Sequence, residues 1–345
     1  MFKYKKVNVS IIIPCRNEEK FIAKCLDSII ANDYPKDRLE ALVVDGMSKD
    51  ETRRIIERYT QQYLFIKLLD NPKKIIATAM NIGIKHASGE IIMKVDAHST
   101  YPKDYISNCA QYLREYQADN VGGVLNIMPG RETTVSKTIA LVLAHPFGSG
   151  NAYIKIGSKD PRWTDAVAFG CYKKEVFQKI GLFNENVGSE DMDLNVRLRK
   201  AGGRILLVPS IVINYYADSD FKAFWRHNFS DGVWVTYVLK FRSKAWSWRH
   251  WVPMAFMSSL LGSALLSVFF SNMLWLFLGI VGTYALANLG VSLSIAIRER
   301  NPNCLWTLSI AFAVRHFTHG LGALFGLFLM LIPGQVWKGR RSFRA

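Results

Sequence analysis

Met93-Lys94-Val95-Asp96-Ala97-His98-Ser99 closes the apolar run Glu90-Ile91-Ile92-Met93, and the rest of the chain is organised around it. The run reads as a buried strand that follows a small helix ending at Ser88-Gly89. Strand side chains alternate with period two, so Asp96 and His98 are expected on the same side of the strand's C-terminal end. A carboxylate and an imidazole placed together can hold a divalent ion, and open α/β sheets bind their ligands at this end. The same residues also suit a plain turn, because Asp, Ser and Thr stop strands by bonding local backbone.

The preceding residues supply the sheet. Val7-Asn8-Val9-Ser10-Ile11-Ile12-Ile13-Pro14 is β-branched and apolar, a central buried strand. Cys15-Arg16-Asn17-Glu18-Glu19 follows, then a helix with Phe21, Ile22, Cys25, Leu26, Ile29 and Ile30 on one stripe. Leu39 to Val44 is a second strand that runs into Asp45-Gly46-Met47-Ser48-Lys49-Asp50-Glu51-Thr52. Gly46 is expected to make the tight turn, and Ser48 or Asp50 to cap the next helix. Leu64 to Leu69 is a third strand, Ile75 to Ala87 a helix, and Glu90 to Val95 the fourth strand. Strands and helices alternating with short links predict an α/β fold with a mostly parallel, doubly wound sheet. That layout brings the acidic turns at Glu18, Asp45 and Asp96 to one sheet edge. Neither GxGxxG nor GxxxxGK[ST] occurs, so a nucleotide here would be held through a metal and acidic contacts rather than a glycine cradle.

Further on, Gly188-Ser189-Glu190-Asp191 opens a helical stretch with Arg197, Arg199 and Lys200 near its end. Ser189 suits an N-cap and the acids suit the helix dipole. Glu190 and Asp191 are therefore either capping groups or, for Asp191, a general base that takes a proton from a hydroxyl.

Half of the 345 residues are hydrophobic and the formal net charge is +16. Neither property is evenly spread. No charged residue lies between Val252 and Ile297, and a second apolar run covers Cys304 to Pro333. Helices are expected at about 252–270, 273–297 and 304–333, with a turn at Ser271-Asn272; runs of ~20 apolar residues cross a bilayer. This divides the chain into residues 1–240, a soluble domain, and 241–345, an all-α membrane region with a basic tail (Lys338, Arg340, Arg341, Arg344). Arg242, Lys244, Arg249, Arg298 and Arg300 flank the first hairpin as cytoplasmic ends do. Basic residues that border apolar segments suit anionic lipid rather than nucleic acid. Arg315, His316 and His319 interrupt the third run, and Arg315 and His319, four apart, can pair with a lipid phosphate or with another helix. Trp225, Arg226 and Trp234 read either as an amphipathic lid over an acceptor or as an interfacial helix. The five cysteines are scattered, without disulfide or zinc spacing, which suits a reducing compartment. The first apolar run is too short for a signal peptide, so a multi-pass protein with its soluble domain in the cytoplasm is expected.

Several of these motifs resemble family 2 glycosyltransferases. Ile12-Ile13-Pro14-Cys15-Arg16-Asn17-Glu18 is similar to that family's first nucleotide-binding motif, and Asp45-Gly46-Met47-Ser48-Lys49-Asp50-Glu51-Thr52 to its DGSxDxT segment. Asn71-Pro72, Asn81-Ile82-Gly83 and Ala87-Ser88-Gly89-Glu90 resemble the approach to its DxD motif, and Ser189-Glu190-Asp191 its acceptor-side ED motif. The resemblance spans roughly residues 7–235. The DAH form and the apolar C-terminal segments look most like the succinoglycan-type branch of exopolysaccharide glucosyltransferases. It implies a GT-A fold and inverting transfer from a nucleotide-sugar, most often a UDP-sugar. By position, Asp45 would contact base or ribose, Pro14, Asn17 and Glu18 would shape the nucleotide pocket, and Asp96 with His98 would hold Mn²⁺ or Mg²⁺. Asp191 would be the base, with Glu190, Trp225 and Arg226 on the acceptor side. His98 stands where the family has a second Asp, and the processive QxxRW motif is absent. The implied acceptor is a polyprenyl-diphosphate-linked saccharide; the alternatives are transfer to a polyprenyl phosphate itself, or a catalytically silent membrane scaffold.

Overall fold

The computed structural model describes residues 7–150, 152–237, 239 and 251–332. Their strands are β1 (Val9–Cys15), β2 (Leu39–Asp45), β3 (Ile66–Asp70), β4 (Ile91–Lys94), β5 (Ser99–Thr100), β6 (Asn120–Met128), β7 (Arg162–Trp163), β8 (Ala168–Lys173) and β9 (Ile205–Tyr216). The helices are α1 (Ile22–Ile30), α2 (Thr52–Gln62), α3 (Ile76–His86), α4 (Tyr105–Glu115), α5 (Thr134–Ala144), α6 (Pro146–Ser149) and α7 (Tyr153–Ile156). They continue with α8 (Glu175–Ile180), α9 (Glu190–Lys200), α10 (Phe221–Tyr237), α11 (Trp251–Leu266), α12 (Ser271–Arg298) and α13 (Leu305–Leu331). The described residues form two compact units, one of residues up to Asn126 with Gly157–Tyr215, the other of Ile127–Ile156 with the described residues from Tyr216 to Ile332.

The first unit is built on β1. Its register sets Val9 opposite Leu39 of β2 and Ile91 of β4, all parallel, and β3 continues the parallel order beyond β2. All seven β1 residues are buried because both faces of the sheet are covered. Val9, Ile11, Ile13 and Cys15 join a core with Leu26 of α1, Ile56 of α2 and Ile106 of α4. Ile12 points to the opposite core, with Met80 of α3, Phe177 of α8 and Leu194 of α9. This is the period-two alternation of a strand with apolar residues on both sides.

The expected parallel order extends only as far as β4. The sheet runs β3-β2-β1-β4-β8-β6-β9-β5, with β7 on β9. β8 is antiparallel to both β4 and β6, so the second half of the sheet is mixed. The β6–β8 pairing slips between Val121 and Gly123. Gly123 is required there, since a Cβ would lie 2.0 Å from the Ile211 carbonyl oxygen of β9.

The second unit is helical. α10 and α13 run side by side with every fourth residue matched: Asn228 meets Arg315, Gly232 meets the His319 carbonyl, and the Thr236 hydroxyl donates to the Ala323 carbonyl. Gly232, Gly322 and Gly326 make this approach possible, each lying against backbone of the other helix. Small residues spaced by four are how apolar helices reach backbone contact. Trp234 lies in this unit's core, 1% exposed, so it is no part of a lid.

Two stretches among the described residues are long and apolar enough to cross a membrane, Ser271–Arg298 and Pro302–Leu331. α12 leaves Trp275 and Leu286 each 74% exposed. α11 ends at Leu266 instead of continuing to 270, and its 16 described residues span about 24 Å. The turn before α12 falls at 267–270, ahead of the expected Ser271-Asn272. Arg242, Lys244, Arg249 and the tail with Lys338, Arg340, Arg341 and Arg344 lie outside the described residues.

Gly123→Ala should cost about 1–3 kcal/mol, the range for overpacking a closed site, because the obstacle is backbone. Gly279→Ala on α12, with no neighbour within 4 Å, is the control. Thermal unfolding of the two variants should separate them, and equal midpoints would contradict the packing described for β6.

Candidate active site

Two turns, after β1 and after β2, are stitched together by backbone-to-side-chain bonds. The Asn17 amide donates to Ser48 Oγ, the Lys49 amide to Asn17 Oδ1, the Glu18 amide to Thr52 Oγ1 and the Glu19 amide to Asp50. Asn17 (φ 54°) and Met47 (φ 57°) sit in the left-handed region. Asn tolerates that conformation, whereas for Met it is a local cost the surrounding bonds have to hold. The tight turn thus falls on Met47 rather than on Gly46. Ser48 does not cap α2; its hydroxyl and amide both go to Asp45. Asp50 instead accepts from the Thr52 amide at the helix start.

Asp45 is fully buried (0% exposed), and its carboxylate is engaged by Ser48 and by Arg53, which also reaches Asp70. In this arrangement Asp45 fixes the shape of the turn. Pro14, beside it on β1, is buried, and Asn17 is exposed. The thiols here are not nucleophiles: burial, then Asp45 and Glu18, push Cys15 well up, and burial, then Asp96 and Glu18, do the same to Cys25.

β4 ends at Lys94, so strand alternation is not what unites Asp96 and His98. The chain turns there, with the Ser99 amide bonded to the Asp96 carbonyl, and the turn places His98 Nδ1 2.9 Å from Asp96 Oδ1 and 3.0 Å from Glu18 Oε1. Tyr215 of β9 packs edge-on against the imidazole at 5.2 Å. Among the described residues no group of three or more His, Cys, Asp or Glu is arranged to hold a metal unaided. A carboxylate with an adjacent imidazole does fit an ion that takes its remaining positions from diphosphate oxygens and water.

The strand's last residue, Lys94, is the group the sequence reading missed. Its ammonium is buried and contacts Glu190 Oε1 at 2.9 Å and Asp191 Oδ2. Burial alone would lower its pKa, but Asp191 and Glu190 outweigh that and hold it above the ordinary lysine value. Burial raises Glu190, and Lys94 opposes the rise. Ser189 occupies the N-cap position of α9 but makes no side-chain cap bond, so the two acids serve Lys94 rather than the helix end alone. Asp191 is half exposed at its side chain, yet its second oxygen, Oδ1, is buried with no hydrogen-bond partner among the described residues. A charge in an apolar strand was the available signal for Lys94; its partners lie almost a hundred residues away. Glu18, Asp45, Asp96, His98, Glu190 and Asp191 thus belong to the first unit. Trp225 and Arg226 are on the exposed side of α10 in the second unit, Trp225 stacked on Phe229 at 5.4 Å.

Residues 10–181 match the profile of Glycosyl transferase family 2. The chain is 27% identical over 337 residues to the Methanococcus voltae dolichyl N-acetyl-alpha-D-glucosaminyl phosphate 3-beta-D-2,3-diacetamido-2,3-dideoxy-beta-D-glucuronosyltransferase, across 95% of this chain and 98% of that one. It is 28% identical to the succinoglycan biosynthesis protein ExoA of Rhizobium meliloti (strain 1021), across 85% and 87% of the two chains. Among solved structures it is similar to the mannosyltransferase PcManGT of Pyrobaculum calidifontis, solved with GDP-Man and Mn²⁺, with TM-score 0.57 and 21% identity across 91% of this chain and 87% of that one. The last likeness is one of fold, the GT-A-like mixed sheet.

Removing one partner of a buried ion pair is costly, and solvent at Asp191 discounts it, so Lys94→Gln should lose about 2–3 kcal/mol at neutral pH. Without Lys94 the main opposition to the upward push of burial and Asp191 on Glu190 is gone, and only a backbone hydrogen bond still counters it. A carboxyl raised in the folded state binds more protons folded than unfolded, so stability grows as pH falls. The deficit should therefore narrow on acidification from pH 7 toward the ordinary glutamate value of 4.5. Unfolding midpoints of both proteins across that range test it; a gap independent of pH would rule out the role given to Glu190.

Proposed function

The chain carries a family 2 glycosyltransferase domain over residues 10–181, and from that premise we propose that it moves a sugar from a nucleotide-sugar to a saccharide carried on a lipid phosphate, with inversion. The observation that carries this reading is Asp191 Oδ1, a buried carboxylate oxygen with no donor, on a side chain whose other oxygen is fixed by Lys94. An acceptor hydroxyl supplies the missing donor. Its oxygen attacks the anomeric carbon, the bond from that carbon to the diphosphate breaks on the opposite face, and the hydroxyl proton passes to Asp191. Lys94 holds Asp191 oriented for this.

On the donor side, Pro14, Asn17, Glu18 and the turn shaped by Asp45 frame the nucleotide. A divalent cation, Mn²⁺ or Mg²⁺, at Asp96 and His98 would neutralise the diphosphate as it departs. PcManGT, solved with GDP-Man and Mn²⁺, supports a nucleotide-sugar and a metal in this fold.

The acceptor class rests on the relatives. The Methanococcus voltae protein, similar along its whole length, is named for a dolichyl-linked sugar phosphate, and the Rhizobium meliloti protein for succinoglycan biosynthesis. Exposed apolar side chains on α12 support attachment to the membrane where such an acceptor resides, with the catalytic unit on the cytoplasmic side among anionic lipids. The donorless Asp191 oxygen favours a sugar hydroxyl over a lipid phosphate as nucleophile, because an ionised phosphate needs no base.

Nucleoside diphosphate release by the full-length protein in nanodiscs, over a panel of nucleotide-sugars with a lipid-linked saccharide, tests this. Asp191→Asn should lower kcat about 10²–10⁴-fold with little change in the donor KM. Asp96→Asn should need far more Mn²⁺ to reach its own maximum. Undiminished kcat in Asp191→Asn would remove the base, and wild-type release indifferent to EDTA would remove the metal.

A further inference from the structure

α13 has one charged side chain, Arg315, eleventh of its 27 residues. A charge there has to be matched, and the matching is incomplete. Arg315 Nε donates to the Gly148 carbonyl at 3.0 Å and Nη1 to Asn228 Oδ1 of α10. Both acceptors are neutral, and no carboxylate among the described residues lies within ion-pair distance of the guanidinium. Two of its five N–H groups are used. Lys155 is half-buried on α7, its amide bonded to the Ala152 carbonyl and its ammonium without a hydrogen bond or ion pair among the described residues. Burial first and the Arg315 charge second push its ammonium down to about 7, with Asp231 pulling the other way. α6, which carries Gly148, packs against both α13 and α7, so these two basic side chains are gathered in the second unit with Asp231 as the opposing carboxylate.

We infer that Arg315 and Lys155 bind the phosphate that joins lipid to saccharide in the acceptor, an inference that rests on the activity proposed above. A phosphate would relieve the repulsion and accept from the unused guanidinium N–H groups, whose planar fork matches it. The surroundings suit a lipid phosphate. The next residue, His316, bonds to the Phe147 carbonyl and to Tyr284 of α12, and on α12 the exposed Leu278, Val281 and Leu286 around Tyr284 can meet an apolar chain. α10, which supplies Asn228, also carries Arg226, His227 and Asp231, groups that belong at headgroup level and not in hydrocarbon. The ligand is a polyprenyl-type phosphate, mono- or diphosphate, with a long chain on one side and sugar on the other.

The test is binding of a long-chain polyprenyl phosphate to the full-length protein in phosphatidylcholine nanodiscs, with polyprenol, phosphatidylglycerol and inorganic phosphate as comparators. Arg315→Gln and Lys155→Gln should each weaken binding about tenfold or more, the worth of a charge-assisted bond. KM for the lipid-linked acceptor should rise in step while the donor KM stays within about twofold, a split that general loosening of the helices would not produce. The Lys155 variant keeps the test decisive if Arg315→Gln does not fold. Wild-type affinity in both variants overturns the site, as does equal binding of polyprenol. Displacement by phosphatidylglycerol or inorganic phosphate at equal concentration also overturns it, by showing a headgroup or free-ion site. Sugar transfer that survives both variants unchanged removes the site and leaves the activity. Binding through both residues in a wild type that transfers no sugar supports the site and removes the activity.

Discussion

A lysine ammonium buried at the end of β4 has to be neutralised, and the first unit is arranged to do it. Lys94 is placed by the strand that carries Ile91 and Ile92 into two different cores, so it cannot move out to water without moving the sheet. The carboxylates that meet it open α9, which is packed on the sheet through Leu194 and Leu198. An isolated charge in such a site would cost several kcal/mol, and one carboxylate would leave it partly unmet. Two of them fix the first turn of α9, and with it the direction of Asp191. One constraint therefore couples the end of β4 to the start of α9 and decides which Asp191 oxygen is left for a substrate.

The same constraint explains what could be read in advance. β1 was legible because every residue from Val9 to Ile13 but Ser10 is apolar, and the Ser10 hydroxyl is accommodated by donating to Glu40 and accepting from the Gly89 amide. The turns after β1 and β2 were legible as acidic turns at one sheet edge, but not as one structure. The bonds joining Asn17 to Ser48 and Lys49 link segments about thirty residues apart, and no local pattern announces them. Asp96 and His98 were paired for the wrong reason: alternation needs β4 to run to His98, whereas it stops at Lys94 and a turn brings the two together. Lys94 itself was passed over, since a single lysine in an apolar strand gives no hint of partners at 190 and 191. The mixed half of the sheet was hidden likewise, because the antiparallel direction of β8 is set by its pairing with β4 and β6 and not by its own residues.

In the helical unit the limits of reading have a different origin. Hydropathy reports how apolar a segment is, but not whether its apolar face meets lipid or another helix. α12 and α13 are both rich in Leu, Ile and Phe. α12 leaves most of its large side chains outward, while α13 gives a glycine-lined face to α10. The glycines at 322 and 326 were visible, but their purpose depends on Gly232 and Thr236, some ninety residues earlier. Once that face is closed, Arg315 is carried to Asn228 and Gly148 by the spacing of the helix, and a residue that breaks an apolar run becomes a fixed cation.

The two units are therefore unfinished in complementary ways. The first holds an anion, Asp191, with one oxygen lacking a donor; the second holds cations, Arg315 and Lys155, lacking a matching acceptor. Neither deficit is one that folding alone would favour, since a buried oxygen without a donor and a pair of unmatched cations each raise the free energy of the empty protein. Each is removed by a different part of one kind of molecule: a hydroxyl on a sugar supplies the donor, and a phosphate on a lipid supplies the acceptor. A soluble saccharide would meet the first need and leave the second. A bare lipid phosphate would meet the second and leave the first. The acceptor class proposed above carries both groups, so one kind of molecule answers both deficits.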